Sequence, residues 1–286
     1  MLERYSRLQV FSVHLGISLL IFTALAIAMV SHWFPGPFFA TDGGWQGMRI
    51  IAAVDLVLGP SLTLIFFAPK RKKHRALLFD LVSIATVQVI ALGWGTWTVY
   101  NQRTVAIAFS GHQFYSISYG ALTDANATLR ADGKHPQDIF ALSDTHPRRV
   151  FVKPLEKHEA GQFLADIFNG LPDLQLRSDR YLELAPHWDE IAEHALQMRE
   201  FAKESPDLAA DVAELEDRLD ELEFYRLKMR FGTAVAGFEI ESRELAYIFP
   251  YERPVSSNRQ DQETENTDSG DAGKEGGTEK ETTKEN

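Results

Sequence analysis

The sequence predicts a membrane protein: a three-helix N-terminal transmembrane bundle, a small α+β extracytoplasmic domain and a disordered acidic tail. Three observations carry that expectation. Apolar runs at about residues 8–30, 49–68 and 76–100 each suit a membrane helix, which needs roughly 20 apolar residues. After Tyr100 apolar residues alternate with small and polar ones, the period of a half-buried strand. After Val255 no apolar residue larger than alanine occurs, so that stretch cannot bury a core. The division expected is a membrane anchor over 1–100, a periplasmic domain over 101–254 and a tail over 255–286.

The chain has 286 residues, a formal net charge of −11 and no cysteine. The acidic balance argues against a nucleic-acid binder, which would present a basic face. Without cysteine there are no disulfides, thiolate metal sites or cysteine nucleophiles. Arg4 and Arg7 precede the first apolar run, and Ala24-Leu25-Ala26 resembles a signal-peptidase site. The run is longer than a cleaved signal's core, carries His14 and is followed by two further spans, so a retained first helix is expected.

The joint between the second and third runs is Pro69-Lys70-Arg71-Lys72-Lys73-His74-Arg75, with five Lys or Arg residues. The loop between the first and second runs has no Lys or Arg before Arg49. Positive-inside reasoning therefore puts the N-terminus and the basic joint in the cytoplasm and residues after about 101 in the periplasm. Lys70, Arg71, Lys72, Lys73 and Arg75 are the residues expected to set topology. Trp33, Phe34, Phe38, Phe39 and Trp45 in the first loop suit the bilayer interface.

Polar residues inside the spans can be placed by depth, at about 1.5 Å per helical residue. Asp55 lies about 19 Å above the basic end of the second helix and Gln88 about 18 Å up the third. Asp80 lies about 6 Å up, near Thr63 and His14. Two polar layers are expected: Asp55 with Gln88, and Asp80 with Thr63 and His14. An ionisable group in a membrane helix is a functional candidate because burying it is costly. It can equally be glue, since such hydrogen bonds hold bundles together by about 1 kcal/mol each. Gly59-Pro60 marks a kink, because proline removes a helical hydrogen bond.

Val105, Ile107 and Phe109, then Tyr115, Ile117 and Tyr119, read as a β-hairpin around Ser110-Gly111-His112. Residues 121–140 are polar and weakly periodic, and Arg149 to Val152 is a short strand ended by Pro154. Glu156 to Phe168 should be helical, stopped by Gly170. Trp188 to Ala202 and, after Ser205-Pro206, Leu208 to Leu222 step by three and four like an αα-hairpin. Strand patterns close the domain at Tyr225–Phe231, Ala234–Ile240 and Leu245–Phe249, with Gly232 and Gly237 as turn or bulge points.

Catalytic motifs are sparse. His187 and His194 are seven residues apart, about 10.5 Å along a helix, too far to share one metal ion without Glu190 between them. No G-x-S-x-G, Walker A or dinucleotide fingerprint occurs. Asp42-Gly43-Gly44 and Gly232-Thr233-Ala234 read as turns, and Asn126-Ala127-Thr128 is a bare glycosylation sequon. No catalytic, cofactor or metal residue is expected.

The membrane region is more specific. Asp55-Leu56-Val57-Leu58-Gly59-Pro60-Ser61-Leu62-Thr63-Leu64, then Phe79-Asp80-Leu81, Gln88, Thr98-Val99-Tyr100 and Arg103 resemble the type IV pilin accessory family, the TfpX/TfpZ group. The likeness covers about the first 110 residues and is looser beyond, in the opening strand, the Arg180-Tyr181 region and the closing strand pair. Thr104 stands where the family usually has proline, and the acidic tail looks like an addition. The resemblance implies a chaperone-like inner-membrane protein that assists assembly, stability or surface display of a cognate type IV pilin, with no enzymatic activity. Its partners would be the bilayer and the major pilin, both helix and periplasmic head, with self-association left open. Asp55, Gly59, Pro60, Thr63, Asp80 and Gln88 are then candidate intramembrane contacts. The rival reading is a membrane-anchored cell-envelope enzyme, which would gather His, Asp or Glu in a pocket of the outer domain. A sensor is a third reading, with little cytoplasmic chain to signal through.

Overall fold

The computed structural model describes residues 6–34, 36, 38–67 and 74–251. The acidic tail and Lys70, Arg71, Lys72 and Lys73 lie outside them; Arg75 is exposed. Three helices are long and apolar enough to cross a membrane: Arg7–Trp33, Gly44–Phe66 and Arg75–Gln102.

The first comprises α1 (Arg7–Ala28) and a π-helical turn, Met29–Trp33. It opens on a capping box, in which Ser6 Oγ accepts from Gln9 N and Gln9 Oε1 accepts from Ser6 N. After the single turn α2 (Phe38–Thr41) comes the second span, formed by α3 (Gly44–Ala52), a π-helical turn at Ala53–Leu58, and α4 (Gly59–Phe66). Pro60 has no N–H to give to the preceding turn, and the backbone widens there, so that Gly59 N–H reaches back five residues to Val54 O. The third span is α5 (His74–Gln102). Met29, Phe34, Ile51 and Val99 pack the three helices together near the end where α5 meets the outer domain.

A helix-plus-sheet domain follows directly. Its strands are β1 (Thr104–Ser110), β2 (Gln113–Ser118), β3 (Arg148–Val152), β4 (Tyr181–Glu183), β5 (Leu222–Met229), β6 (Gly232–Glu239) and β7 (Leu245–Tyr251). They form one sheet in the order β4-β3-β1-β2-β5-β6-β7. The β1–β3 and β2–β5 pairs are parallel and the other pairs antiparallel. The register of β6 against β7 shifts at Gly237/Phe238, a bulge beside one of the flagged glycines.

The helices are α6 (Tyr119–Ala131), α7 (Ile139–Leu142), α8 (Ala160–Phe168), α9 (Trp188–Ala192), α10 (Met198–Glu204) and α11 (Pro206–Glu214). They cover both faces of the sheet. Ile107 and Phe109 of β1 pack with Trp188 and Ile191, whereas Val105, Ala106 and Ala108 pack with Leu122 and Ile139. From Ala106 onward the alternation read in β1 separates two cores, whereas Val105, beside a register shift between Thr104 and Ala106, packs with Ala106 and Ala108; all seven residues are buried. A third cluster seats α10 and α11 on β5–β7 through Leu208, Val212, Phe224 and Val235.

Several local expectations change. Residues 119–131, polar to the eye, form α6, because Leu122, Ala125 and Leu129 recur at helical spacing and Ser118 Oγ caps Ala121 N. The run from Trp188 to Ala202 is broken, because Leu196 N donates to Phe224 O at 2.7 Å and ties the chain to β5. The largest correction concerns the first loop. Phe38, expected at the bilayer interface, is only 3% exposed and belongs to the main core of the outer sheet. Phe34 is fully buried among the membrane helices. A Pro/Gly-punctuated loop can fold back on its own domain, and burial against protein removes more ring surface from water than an interface does.

This seating predicts that Phe38→Ala destabilises the outer sheet by about 3–5 kcal/mol, as core phenylalanine truncations do. Phe168→Ala, at a ring 82% exposed, should leave thermal unfolding unchanged. Unfolding followed by near-ultraviolet circular dichroism in detergent distinguishes the two.

Candidate functional site

Five of the six singled-out intramembrane residues face the interior of the bundle. Asp55, Gly59, Pro60 and Thr63 are buried and Gln88 partly so. Asp55 sits in the π-helical turn, 1% exposed. Gln88 Nε2 donates to Asp55 Oδ1 at 2.5 Å, and also approaches Asp55 O at 3.3 Å and Ser18 Oγ at 3.1 Å. Ser18 Oγ donates to the same Asp55 oxygen at 3.1 Å.

On its other side Gln88 Oε1, which can only accept, takes a hydrogen bond from His14 Nε2 at 2.7 Å. His14 Nδ1 lies 2.7 Å from Thr63 Oγ1, which itself donates to Gly59 O at 3.2 Å. The donors thus run from His14 through Gln88 to Asp55 and join all three helices. His14 and Thr63, expected in a lower layer with Asp80, instead join the Asp55–Gln88 pair, because an imidazole with two working edges bridges them. Asp80 is half-buried, eight residues before Gln88 on α5.

Gly59 makes the network sterically possible. A Cβ built there would lie 2.2 Å from Gln88 Oε1 and 2.4 Å from its Cδ. Asp55 Oδ2 is buried with no hydrogen-bond partner among the described residues. A buried carboxylate oxygen without a donor is expensive.

A second polar centre joins the membrane helices to the sheet. Asp42 is 3% exposed and accepts from Thr104 Oγ1 in a short hydrogen bond, from Ser116 Oγ at 3.1 Å and from Arg230 N at 3.0 Å. Beside it Phe231 N donates to Thr41 O at 3.0 Å. Gly43 follows at φ +105, a left-handed conformation that favours glycine, and a Cβ there would lie 3.1 Å from the Phe231 ring. Thr104, the departure from the resembled pattern, thus supplies one of the donors.

On the other side of the junction the Arg103 guanidinium lies between the rings of Tyr100 and Tyr119, 3.6 and 4.0 Å from their centroids. Its backbone links the end of α5 to the start of α6, since Tyr119 N donates to Arg103 O at 3.0 Å. Trp33 packs edge-on against Tyr100 with centroids 5.3 Å apart.

The remaining sequence candidates have structural partners. Arg180 clamps Glu159 through two hydrogen bonds of 3.0 and 2.9 Å, which holds that carboxyl down at about 2. Neighbouring Tyr181 donates to Gln175 O at 2.6 Å, and burial pushes its phenol up. His187 stacks on Phe151 at 4.2 Å, and His194 tilts over Phe109 at 5.8 Å. Asn126 of the sequon accepts from Ser178 Oγ within the domain.

No protein-family profile matches the chain, and no solved structure matches it. Among curated proteins it is similar to fimbrial assembly proteins of Dichelobacter nodosus. Those of serogroup E1 and serogroup I are each 28% identical over 108 residues, which is 38% of this chain and 42% of theirs. The protein of serogroups C1 and C2 is 28% identical over the same length, covering 82% of it. The match thus spans about two fifths of the serogroup E1 protein.

The network makes Gly59 and Gln88 energetically dependent. Gly59→Ala should cost about 1–2 kcal/mol, the scale of the hydrogen bonds it displaces in a membrane bundle. Gln88→Ala should cost a similar amount, and the double substitution no more than Gln88→Ala alone. Unfolding in mixed micelles measures this cycle; additive costs would show that the two residues do not touch.

Proposed function

We propose that this chain is a membrane-embedded accessory protein of type IV fimbrial assembly that assists the assembly, stability or surface display of a cognate pilin. The similarity to fimbrial assembly proteins carries the reading. Three helices long enough to span a bilayer, joined to a folded outer domain, support it.

In this proposal the chain sits in the bacterial inner membrane with its N-terminus and basic joint in the cytoplasm and the sheet in the periplasm. The protein acts by binding. Its membrane helices offer lipid-exposed apolar surface to a partner helix, and the outer domain meets the partner's head. Because Asp55, Gly59, Pro60 and Thr63 are turned inward, they shape the bundle rather than line its outer face. Their role is to fix how α1, α4 and α5 lie against one another, and so which surface the partner finds.

The test is deletion and complementation in the native bacterium, with the full chain affinity-purified from detergent. Loss of the chain should abolish surface fimbriae, and the wild-type chain should restore them and bring down the major pilin. Asp55→Leu with Gln88→Leu should reach the membrane at normal levels yet fail to restore fimbriae. Full fimbriation without the chain would contradict the proposal.

A further inference from the structure

Where α5 meets the outer domain, a cleft of about 760 Å³ opens between the helix end, β2 and the end of β5. Its walls include Trp97 and Asn101 of α5, Tyr115 of β2, Asp124 of α6, and Lys228 and Arg230. A cleft of this volume is within the range of small-molecule sites.

Lys228 lies on β5 and Arg230 in the turn that follows Met229, so both cations stand at the same end of the strand, and both line the cleft. Both are exposed. Neither has an ion-pair partner among the described residues; the Arg230 guanidinium lies over the Phe231 ring, 5.2 Å from its centroid. Asp42 lines the same cleft, but its carboxylate is filled by Thr104, Ser116 and Arg230 N. Asp124 is the remaining carboxylate of the wall. Two cations without an ion-pair partner among the described residues line one cleft, where they attract an anion.

The depth of the cleft says which anion. The third span has 28 residues, about 42 Å at 1.5 Å each, against a hydrocarbon core of about 30 Å. Its last turns therefore stand in the headgroup zone, and Trp97 and Asn101 belong to them. Trp97 is 63% exposed, as suits an indole at the bilayer boundary. An opening at that height, lined by an indole and two cations, suits a phospholipid headgroup.

We propose that this cleft binds the headgroup phosphate of an anionic phospholipid, held by Lys228 and Arg230, with the glycerol end against Trp97. Arginine meets phosphate in a paired geometry and lysine as a point charge. The lipid fastens the sheet to the bilayer independently of Asp42. The inference rests on the reading that the three helices span a membrane, and carbonate extraction checks that reading separately. If carbonate releases the chain, the spanning reading has failed and the lipid assignment falls with it.

The experiment is native mass spectrometry of the full chain from detergent, titrated with phosphatidylglycerol and, separately, with inorganic phosphate. The wild type should retain phosphatidylglycerol. Lys228→Gln with Arg230→Gln should weaken retention at least about tenfold, the scale of losing two charge-assisted hydrogen bonds. Lys203→Gln, on exposed α10, should retain lipid like the wild type, and an unchanged melting temperature should show that the double variant is folded. Equal retention by wild type and double variant overturns the proposal. Binding of inorganic phosphate without retained lipid would assign the site to a free anion and also overturn it. Loss of a co-purifying membrane protein with lipid retention intact would assign the cleft to a protein partner, overturning it as well.

Discussion

The arrangement of the whole molecule depends on the carboxylate of Asp42. This group, in the loop between the first two apolar helices, accepts hydrogen bonds from the opening residue of β1, from β2 and from the backbone just past β5. Thr104, which is buried, would be left without this partner if the loop withdrew, at about 1–3 kcal/mol for an unpaired buried group. Phe38 adds a ring to the sheet core from the same loop. The outer domain is therefore held twice, covalently through α5 and Arg103 and non-covalently through this loop. Two attachments, one covalent and one through hydrogen bonds, restrict the sheet's orientation over the helices more than a single linker would.

Within the helices the His14–Gln88–Asp55 network does the corresponding task. Apolar helices gain little from meeting one another in lipid, since the tails are as apolar as their side chains. A chain of polar contacts through α1, α4 and α5 supplies a specific register instead, and Gly59 is small enough to let Gln88 enter it. The π-helical turn before Pro60 carries Asp55 into the interior.

Much of this was legible in the sequence, for physical reasons that also mark where legibility ends. Hydropathy reveals the three spans because a membrane helix must be apolar over its whole length. Constant rise per residue put Asp55 level with Gln88, and they meet. The same counting separated His14 and Thr63 from that pair, because it treats side chains as points, whereas an imidazole reaches in two directions. The strands were readable by alternation, but α6 was hidden by its polar outer face. Asp42 had no local signature at all: its partners Thr104, Ser116 and Arg230 are 62, 74 and 188 residues away, and an Asp-Gly-Gly triplet looks like any turn. Phe38 was misplaced because aromatic rings near a span fit a bilayer interface and a protein core equally well.

The central claim is that the loop lock makes helices and sheet a single rigid unit. The chain lacks cysteine, so Ile27→Cys on α1 and Glu193→Cys beside α9 can carry one spin-label pair without background, both positions being exposed. Double electron–electron resonance in lipid nanodiscs should give a single narrow distance distribution, which broadens when Asp42→Ala is added. A broad distribution that Asp42→Ala leaves unchanged would contradict the account.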